Sequence, residues 1–148
     1  MDPNEYNMGD LFDEYAHFDA HWMGDALYSV IVRFGYLGVS FNTEIISHEE
    51  ASDYNILWDS KLEGKVGHFD WHLPNLGCLS LRDGNDSPSP FDINSSQWSQ
   101  LQETTLSLKP QVGGYFDYGG TFASLKNGEV YAMCGIGDWI TGVVRKDG

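Results

Sequence analysis

Alternation of strand-like and helix-like segments is the feature that most limits what this chain can fold into. Runs rich in β-branched and aromatic residues predict strands at 28–33, 37–42, 64–69, 112–117 and 129–134. Helical patterns or capping signals predict helices over 47–58, 73–81, 95–109, 121–127 and 138–146. This order predicts an α/β fold, a mixed sheet flanked by helices, in which ligands bind beyond the carboxyl ends of strands.

The length of 148 residues limits the chain to one compact domain. Residues 1–27 are acidic and aromatic and show no convincing period, so we expect an irregular lead-in there. Residues 28–148 contain all the alternating segments and are expected to form a single α/β unit.

The charge balance excludes some classes of partner. The chain has 22 Asp and Glu against 8 Lys and Arg, a net charge of −14. Nucleic-acid affinity comes largely from Lys and Arg displacing counterions, so DNA and RNA are not expected partners, and neither are anionic membranes. An acidic surface suits a cationic ligand, and it also serves simply to keep a protein soluble.

Segments for membrane insertion or export are not predicted. The longest apolar run, 26–39, is interrupted by Arg33, and a membrane helix needs about 18 uncharged apolar residues. Arg33 is also the first basic residue of the chain, whereas a secretory signal needs a positive amino-terminal region.

Signals for cofactors, metals and catalysis are weak throughout the chain. Cys78 and Cys134 lack CxxC spacing and are expected to be small buried apolar residues. HFDAH (17–21) and HFDWH (68–72) have metal-ligand spacing, but neither has the Glu of HExxH, and the second spans a predicted strand-to-helix junction. GIGDWITG (135–142) does not match a dinucleotide loop. We therefore expect no cofactor, no metal and no enzyme activity.

Three predicted strand exits pair an acidic residue with an aromatic one. They are Asp70-Trp71, Asp117-Tyr118 and, after a glycine-rich stretch, Asp138-Trp139. An alkylammonium ion favours a carboxylate for its charge and an aromatic face for its partly desolvated groups, a contact that contributes roughly 0.5–2 kcal/mol. The alternative interpretation is that Asp70 and Asp138 cap the following helices while the tryptophans pack in the core.

Four longer motifs resemble, in order and spacing, a known family of binding proteins. They are YSVIVRFGYLGVSFNT (28–43), YNILWDSKLEGKVGHFDW (54–71), LKPQVGGYF (108–116) and LKNGEVYAMCGIGDWITGVVRKDG (125–148). Together they resemble the extracellular solute-binding proteins of polyamine-type ABC importers, for example for spermidine or putrescine. The shared features are an F/W-G turn after a strand, an LW…KGKV passage, and an NGEV passage before a glycine-rich turn.

This resemblance implies one lobe of a type II periplasmic binding protein. In that family the ligand lies between two lobes, and residues 28–148 resemble lobe two with one crossover. The family's lobe-two contacts match Asp70, Trp71, Asp138 and Trp139, and the crossover turn matches Phe34 and Tyr36. The resemblance also implies an ABC permease as partner and a periplasmic or extracellular location.

Two functions of different class follow from the sequence. The first is a non-enzymatic module that binds a small cationic polyamine. The second is an interaction protein, because a lone lobe exposes a cleft face whose apolar patch can drive self-association.

Overall fold

A four-stranded mixed sheet forms the centre of the fold in the computed structural model, which describes Asp2, residues 5–137 and Gly142. By their contacts, residues divide into two units, Met1–Phe34 and Gly35–Gly148. Among the described residues, no helix is long and apolar enough to cross a membrane.

The first unit contains only short elements. In its described part they are helix α1 (Asp13–Ala16), the 3₁₀ turns Met8–Asp10 and Asp19–His21, and a two-stranded hairpin of β1 (Trp22–Met23) and β2 (Ala26–Leu27). Gly24, with φ of +58°, allows the tight hairpin turn. The strand predicted at 28–33 is not formed, because no described strand pairs with this run and Val32 is 98% exposed. Strand-favouring residues reflect fit to a half-buried sheet, and this sheet does not extend to them.

The second unit contains the sheet and the longer helices. Its strands are β3 (Leu37–Phe41), β4 (Val66–Phe69), β5 (Val112–Phe116) and β6 (Ala132–Gly137), in the spatial order β3-β6-β4-β5. Strands β4, β5 and β6 run parallel, and β3 is antiparallel to β6. Among the described residues, its α-helices are α2 (His72–Arg82), α3 (Ser95–Ser107) and α4 (Tyr118–Lys126).

Both faces of the sheet are buried, as expected for parallel strands with helices on either side. Ala132 and Cys134 of β6 join the larger apolar cluster, with residues of α2 and α3. Met133 and Ile136 join the second cluster, which contains Phe122 of α4. The predicted mixed sheet flanked by helices is therefore confirmed.

A bulge at Gly135 explains why Met133 and Ile136 share a face although they lie three residues apart. Val39 pairs with Cys134 and Gly38 pairs with Ile136, so Gly135 is an extra residue in β6. Its φ of +75° is the left-handed conformation typical of a bulge glycine. The strand predicted at 129–134 is thus shifted, and the glycine-rich stretch belongs to the strand.

The helical predictions are confirmed in part. The Ser47–Glu50 capping signal is present, since the Ser47 backbone N–H donates to Glu50 Oε2 and the Glu50 N–H donates to Ser47 Oγ. However, the helix predicted over 47–58 is two short 3₁₀ turns, Glu50–Ser52 and Tyr54–Trp58. Asp53 interrupts it by capping the second turn. The helix predicted over 121–127 begins earlier, at Tyr118, and the helix predicted at 138–146 lies, apart from Gly142, outside the described residues.

Candidate functional site

One edge of the sheet gathers the strand exits singled out above; we call it the carboxyl edge. It consists of the carboxyl ends of β4, β5 and β6 with the amino end of β3, because Leu37 pairs with Gly137. Asp70 follows β4, Asp117 follows β5, and Tyr36, which is 77% exposed, precedes β3. Asp138 and Trp139 follow β6 in the sequence and lie outside the described residues.

Asp70 and Asp117 leave the sheet at the same level. Phe69 pairs with Phe116 in the parallel β4–β5 ladder, so each aspartate takes the next position along its own strand. The Asp70 backbone N–H also donates to the Phe116 carbonyl at 2.8 Å. Adjacent strands lie about 4.8 Å apart, so this pairing places two acidic residues side by side at the carboxyl edge.

The two carboxylates differ in what they contact. Asp117 is the N-cap of α4, and its Oδ1 accepts the Gly120 N–H at 2.7 Å. Asp70 is exposed, and among the described residues no group donates a hydrogen bond to its carboxylate. The capping interpretation is wrong for Asp70, because Trp71 occupies the N-cap position of α2 and makes no side-chain cap. Asp70 therefore presents a solvated charge that is open to a cation.

Aromatic rings connect the two acidic exits. The ring of Phe69 lies edge-on to Trp71 at 6.3 Å and to Tyr118 at 6.5 Å between centroids. Tyr118 in turn packs edge-on against Phe122 at 5.0 Å. Trp71 is 46% exposed and Tyr118 is 52% exposed, so both rings keep free surface beside the acids. The arrangement can offer a cation both charge and π-faces.

Asn75 fixes the turn that carries Asp70, and sequence reasoning missed it. Its Nδ2 donates to the Phe69 carbonyl at 2.7 Å and to the Trp71 carbonyl at 2.9 Å. Its Oδ1 lies 3.1 Å from Nδ1 of the buried His68. One carboxamide in the first turn of α2 thus holds the carbonyls on both sides of Asp70. An isolated Asn in a helical pattern gives no signal of such a role.

His68 is the titratable group buried beneath this turn. Burial lowers the pKa of His68 below its ordinary value of 6.5, and the hydrogen bond to Asn75 opposes this only in part. Its ring also stacks on Tyr115 at 5.6 Å. The imidazole is therefore neutral in the folded protein near neutral pH.

This lowered pKa predicts a loss of stability in mild acid. In the unfolded chain His68 takes up a proton near pH 6.5, whereas in the folded chain it does so only at lower pH. The unfolded state therefore binds more protons just below pH 6.5. We expect the free energy of unfolding to fall between about pH 7 and pH 5. Urea denaturation at both pH values measures this change.

The variant His68→Phe tests this assignment, because it keeps an aromatic ring beside Tyr115 and does not titrate. It should have a smaller pH dependence than the wild type over the same range. His72→Gln, which replaces an exposed histidine at the start of α2, is the control. Equal pH dependence in His68→Phe and the wild type would contradict the prediction.

The remaining predicted site residue, Phe34, belongs to the Met1–Phe34 unit. Its ring stacks on Tyr15, with 4.6 Å between centroids. This stacking shows that Phe34 contributes to the packing of its own unit. Its predicted role as a ligand contact stays a prediction.

The histidine pairs do not lie together on a helix face. His68 is in β4 and His72 begins α2, which confirms the predicted strand-to-helix junction. His17 follows α1, and His21 ends a separate 3₁₀ turn. In the described part of the chain, no group of three or more His, Cys, Asp or Glu residues could hold a metal ion.

Three solved structures are similar in fold to this chain. The spermidine/putrescine ABC transporter substrate-binding protein PotD from Streptococcus pneumoniae matches with a TM-score of 0.65 at 14% identity, over 74% of this chain and 32% of that one. An ABC transporter from Clostridium perfringens matches with a TM-score of 0.66 at 14% identity, over 93% of this chain and 41% of that one. The fold of this chain therefore matches part of the periplasmic binding protein fold.

A third similar structure is a putative spermidine/putrescine ABC transporter from Listeria monocytogenes. Its TM-score is 0.57 at 18% identity, over 67% of this chain and 29% of that one. The chain thus spans between 29% and 41% of the length of the solved proteins it matches. No family model and no curated protein sequence matches it.

Proposed function

We propose that this chain is the non-enzymatic ligand-binding lobe of an ABC-importer solute-binding protein, and that its ligand is a cationic polyamine such as spermidine or putrescine. Residues 28–148 are proposed to correspond to lobe two. An ABC permease is the proposed partner of the complete receptor, and the proposed location is extracytoplasmic. The likeness in fold to polyamine-type binding proteins supports this assignment.

The observation that carries the proposal is the composition of the carboxyl edge. Asp70 and Asp117 follow paired positions of adjacent strands, and Trp71 and Tyr118 flank them with partly exposed rings. A primary ammonium group can contact a carboxylate through its N–H donors and a ring through its charge. The net charge of −14 also attracts a multivalent cation over longer distances.

Binding to this chain alone is expected to be weak. A complete receptor closes two lobes around its ligand and excludes water, whereas one lobe leaves the ammonium groups hydrated. A Kd near 1 mM corresponds to about −4 kcal/mol, which one or two exposed charge and cation–π contacts can supply. The affinity should fall further with added salt, because exposed charges are screened.

The test is an NMR titration of the chain with spermidine and with a neutral diol of similar length, at low and moderate salt. We expect millimolar, salt-sensitive binding of spermidine alone, with shifts at the Trp71 indole. Asp70→Asn and Asp117→Asn should each weaken binding several-fold. Asn is itself a good N-cap, so the second variant removes the charge at Asp117 and retains the start of α4.

Asp86→Asn is the matched control for these two variants. Asp86 is exposed and lies beyond the last residue of α2, an 11-residue helix that starts at the carboxyl edge and is about 16 Å long. Equal affinity for the neutral diol, or binding unchanged by Asp70→Asn and Asp117→Asn together, would contradict the proposal.

A second candidate function is self-association through the same edge. The partly exposed rings of Trp71 and Tyr118 favour it, together with Tyr115, which is also exposed. Light scattering over a range of protein concentrations tests it. A monomer at all concentrations would contradict self-association.

A further inference from the structure

The two cysteines of the chain meet in the core of the second unit. Cys78 lies on α2 and Cys134 on β6, and both are free thiols. They are 3% and 0% exposed and belong to the same apolar cluster. Each thiol is also close enough to the other to shift its pKa. The fold thus brings residues 56 positions apart in the sequence together in one part of the core.

The backbones of α2 and β6 also approach closely at this point. A Cβ placed on Gly135, next to Cys134, would lie 2.9 Å from Pro74 Cβ and 2.9 Å from the Asn75 nitrogen. Cys78 lies four residues after Pro74, on the same face of α2. Cys78 and Cys134 belong to the same apolar cluster, so this face of α2 packs on β6.

The surroundings of the pair make the two thiols unequal. Hydrogen bonds from Cys134, the Gly135 backbone N–H and the Tyr54 hydroxyl lower the pKa of Cys78 to about 7, although burial opposes this. The pKa of Cys134 is raised, by its bond to Cys78 and by burial. The pKa of Cys78 is thus lower than that of Cys134, so Cys78 is the thiol that loses its proton first.

We propose that Cys78 and Cys134 are a reversible redox pair that a peroxide converts into an intramolecular disulfide between α2 and β6. The Cys78 thiolate attacks one peroxide oxygen, the O–O bond breaks, and hydroxide leaves, which gives a sulfenic acid. The Cys134 sulfur then attacks the Cys78 sulfur. An S–S bond forms, and the sulfenic oxygen leaves as water with the Cys134 proton. Two thiols and one hydrogen peroxide thus give one disulfide and two waters.

A peroxide suits this site because of its size. Both sulfur atoms are buried, so a bulky disulfide such as oxidised glutathione would have to displace α2, whereas hydrogen peroxide is barely larger than water. The disulfide would tie β6 to the helix that begins directly after the Asp70-Trp71 exit. Oxidation would thereby hold the amino-terminal part of α2, with Asn75, against the sheet.

The experiment is peptide mapping of the folded chain after treatment with hydrogen peroxide and alkylation without reductant. We expect one cross-linked pair of peptides, containing Cys78 and Cys134, in a monomeric product. We also expect the midpoint of thermal unfolding to rise by about 5–15 °C, because a cross-link that closes a long loop restricts the unfolded chain. Dithiothreitol should reverse both changes.

Cys134→Ser and Cys78→Ser separate the roles of the two thiols. Cys134→Ser should form no intramolecular cross-link and should accumulate a sulfenic acid at Cys78 that dimedone traps. Cys78→Ser should form far less sulfenic acid at Cys134. The wild-type map decides the proposal even where a variant does not fold. Recovery of both cysteines unlinked, or of cross-links only between molecules, would overturn it.

Discussion

Gly135→Ala is expected to destabilise the folded protein by about 2–5 kcal/mol, measured as the free energy of unfolding in urea. Two costs add at this position. The φ of +75° at the β6 bulge costs a residue with a Cβ about 1–2 kcal/mol. The added Cβ would also meet Pro74 and the Asn75 nitrogen of α2 at 2.9 Å, a distance that real Cβ atoms essentially never show. The close approach includes backbone atoms of a helix, so relief requires α2 and β6 to separate.

Gly128→Ala is the matched control for this substitution. Gly128 has nearly the same backbone conformation, with φ of +68°, yet nothing lies within 4 Å of its hypothetical Cβ. It should therefore show the conformational cost alone, about 1–2 kcal/mol. Equal destabilisation by Gly135→Ala and Gly128→Ala would show that the approach of α2 to β6 adds nothing, contrary to our expectation.

The sheet and its flanking helices are predictable from the sequence, because the residue types and spacing within each segment indicate a strand or a helix. Strand β4 lies between Gly64 and Asp70, and α3 begins at Ser95, one of the two adjacent serines that predict its start. The parallel arrangement of β4, β5 and β6 followed from alternation, because a helix between two strands returns the chain to the same edge. Adjacent acidic exits at the carboxyl edge are a direct consequence.

Features that depend on a partner elsewhere in the fold were not predictable. The composition of residues 28–33 favours a strand, but a strand also needs a neighbouring strand to pair with. In the described structure no strand pairs with this run, and its own sequence cannot indicate that. The glycine-rich stretch that begins at Gly135 predicts a turn, because glycines usually mark one. Only the register against Val39 and Gly38 shows that it is an extra residue within β6.

The candidate site also combines residues that are predictable from local sequence with residues whose role depends on the rest of the fold. Asp70 and Trp71 were predicted from their position after a strand, and the structure places them with Asp117 at one edge. The sequence also allows Asp70 as a helix cap, because Asp commonly caps helices, yet α2 starts one residue too late for Asp70 to occupy the N-cap position. The sequence does not indicate the role of Asn75. Its hydrogen bonds are to the Phe69 and Trp71 carbonyls, and the direction of these carbonyls depends on the conformation of the turn.

Asn75→Ala is expected to destabilise the protein by about 2–4 kcal/mol. The Nδ2 group donates to the Phe69 and Trp71 carbonyls, and Oδ1 contacts Nδ1 of His68, so three polar groups lose a partner. The His68 ring is buried and cannot exchange this bond for one to water without opening the turn. Urea denaturation near neutral pH measures the loss. Asn127→Ala, at the exposed end of α4, is the control and should change stability by less than about 0.5 kcal/mol.

Asn75→Asp distinguishes the donor role of Asn75 from the space that it fills. Aspartate has almost the same size, but it sets a carboxylate oxygen against the two carbonyls that Nδ2 now bonds. It should therefore be at least as unstable as Asn75→Ala, and stability close to that of the wild type would contradict the role assigned to this residue. Because the turn carries Asp70 and Trp71 between the bonded carbonyls, both variants should also weaken spermidine binding more than their stability loss alone accounts for under conditions where they remain folded. In this fold the position of the exposed acid is thus set by a half-buried amide beneath it.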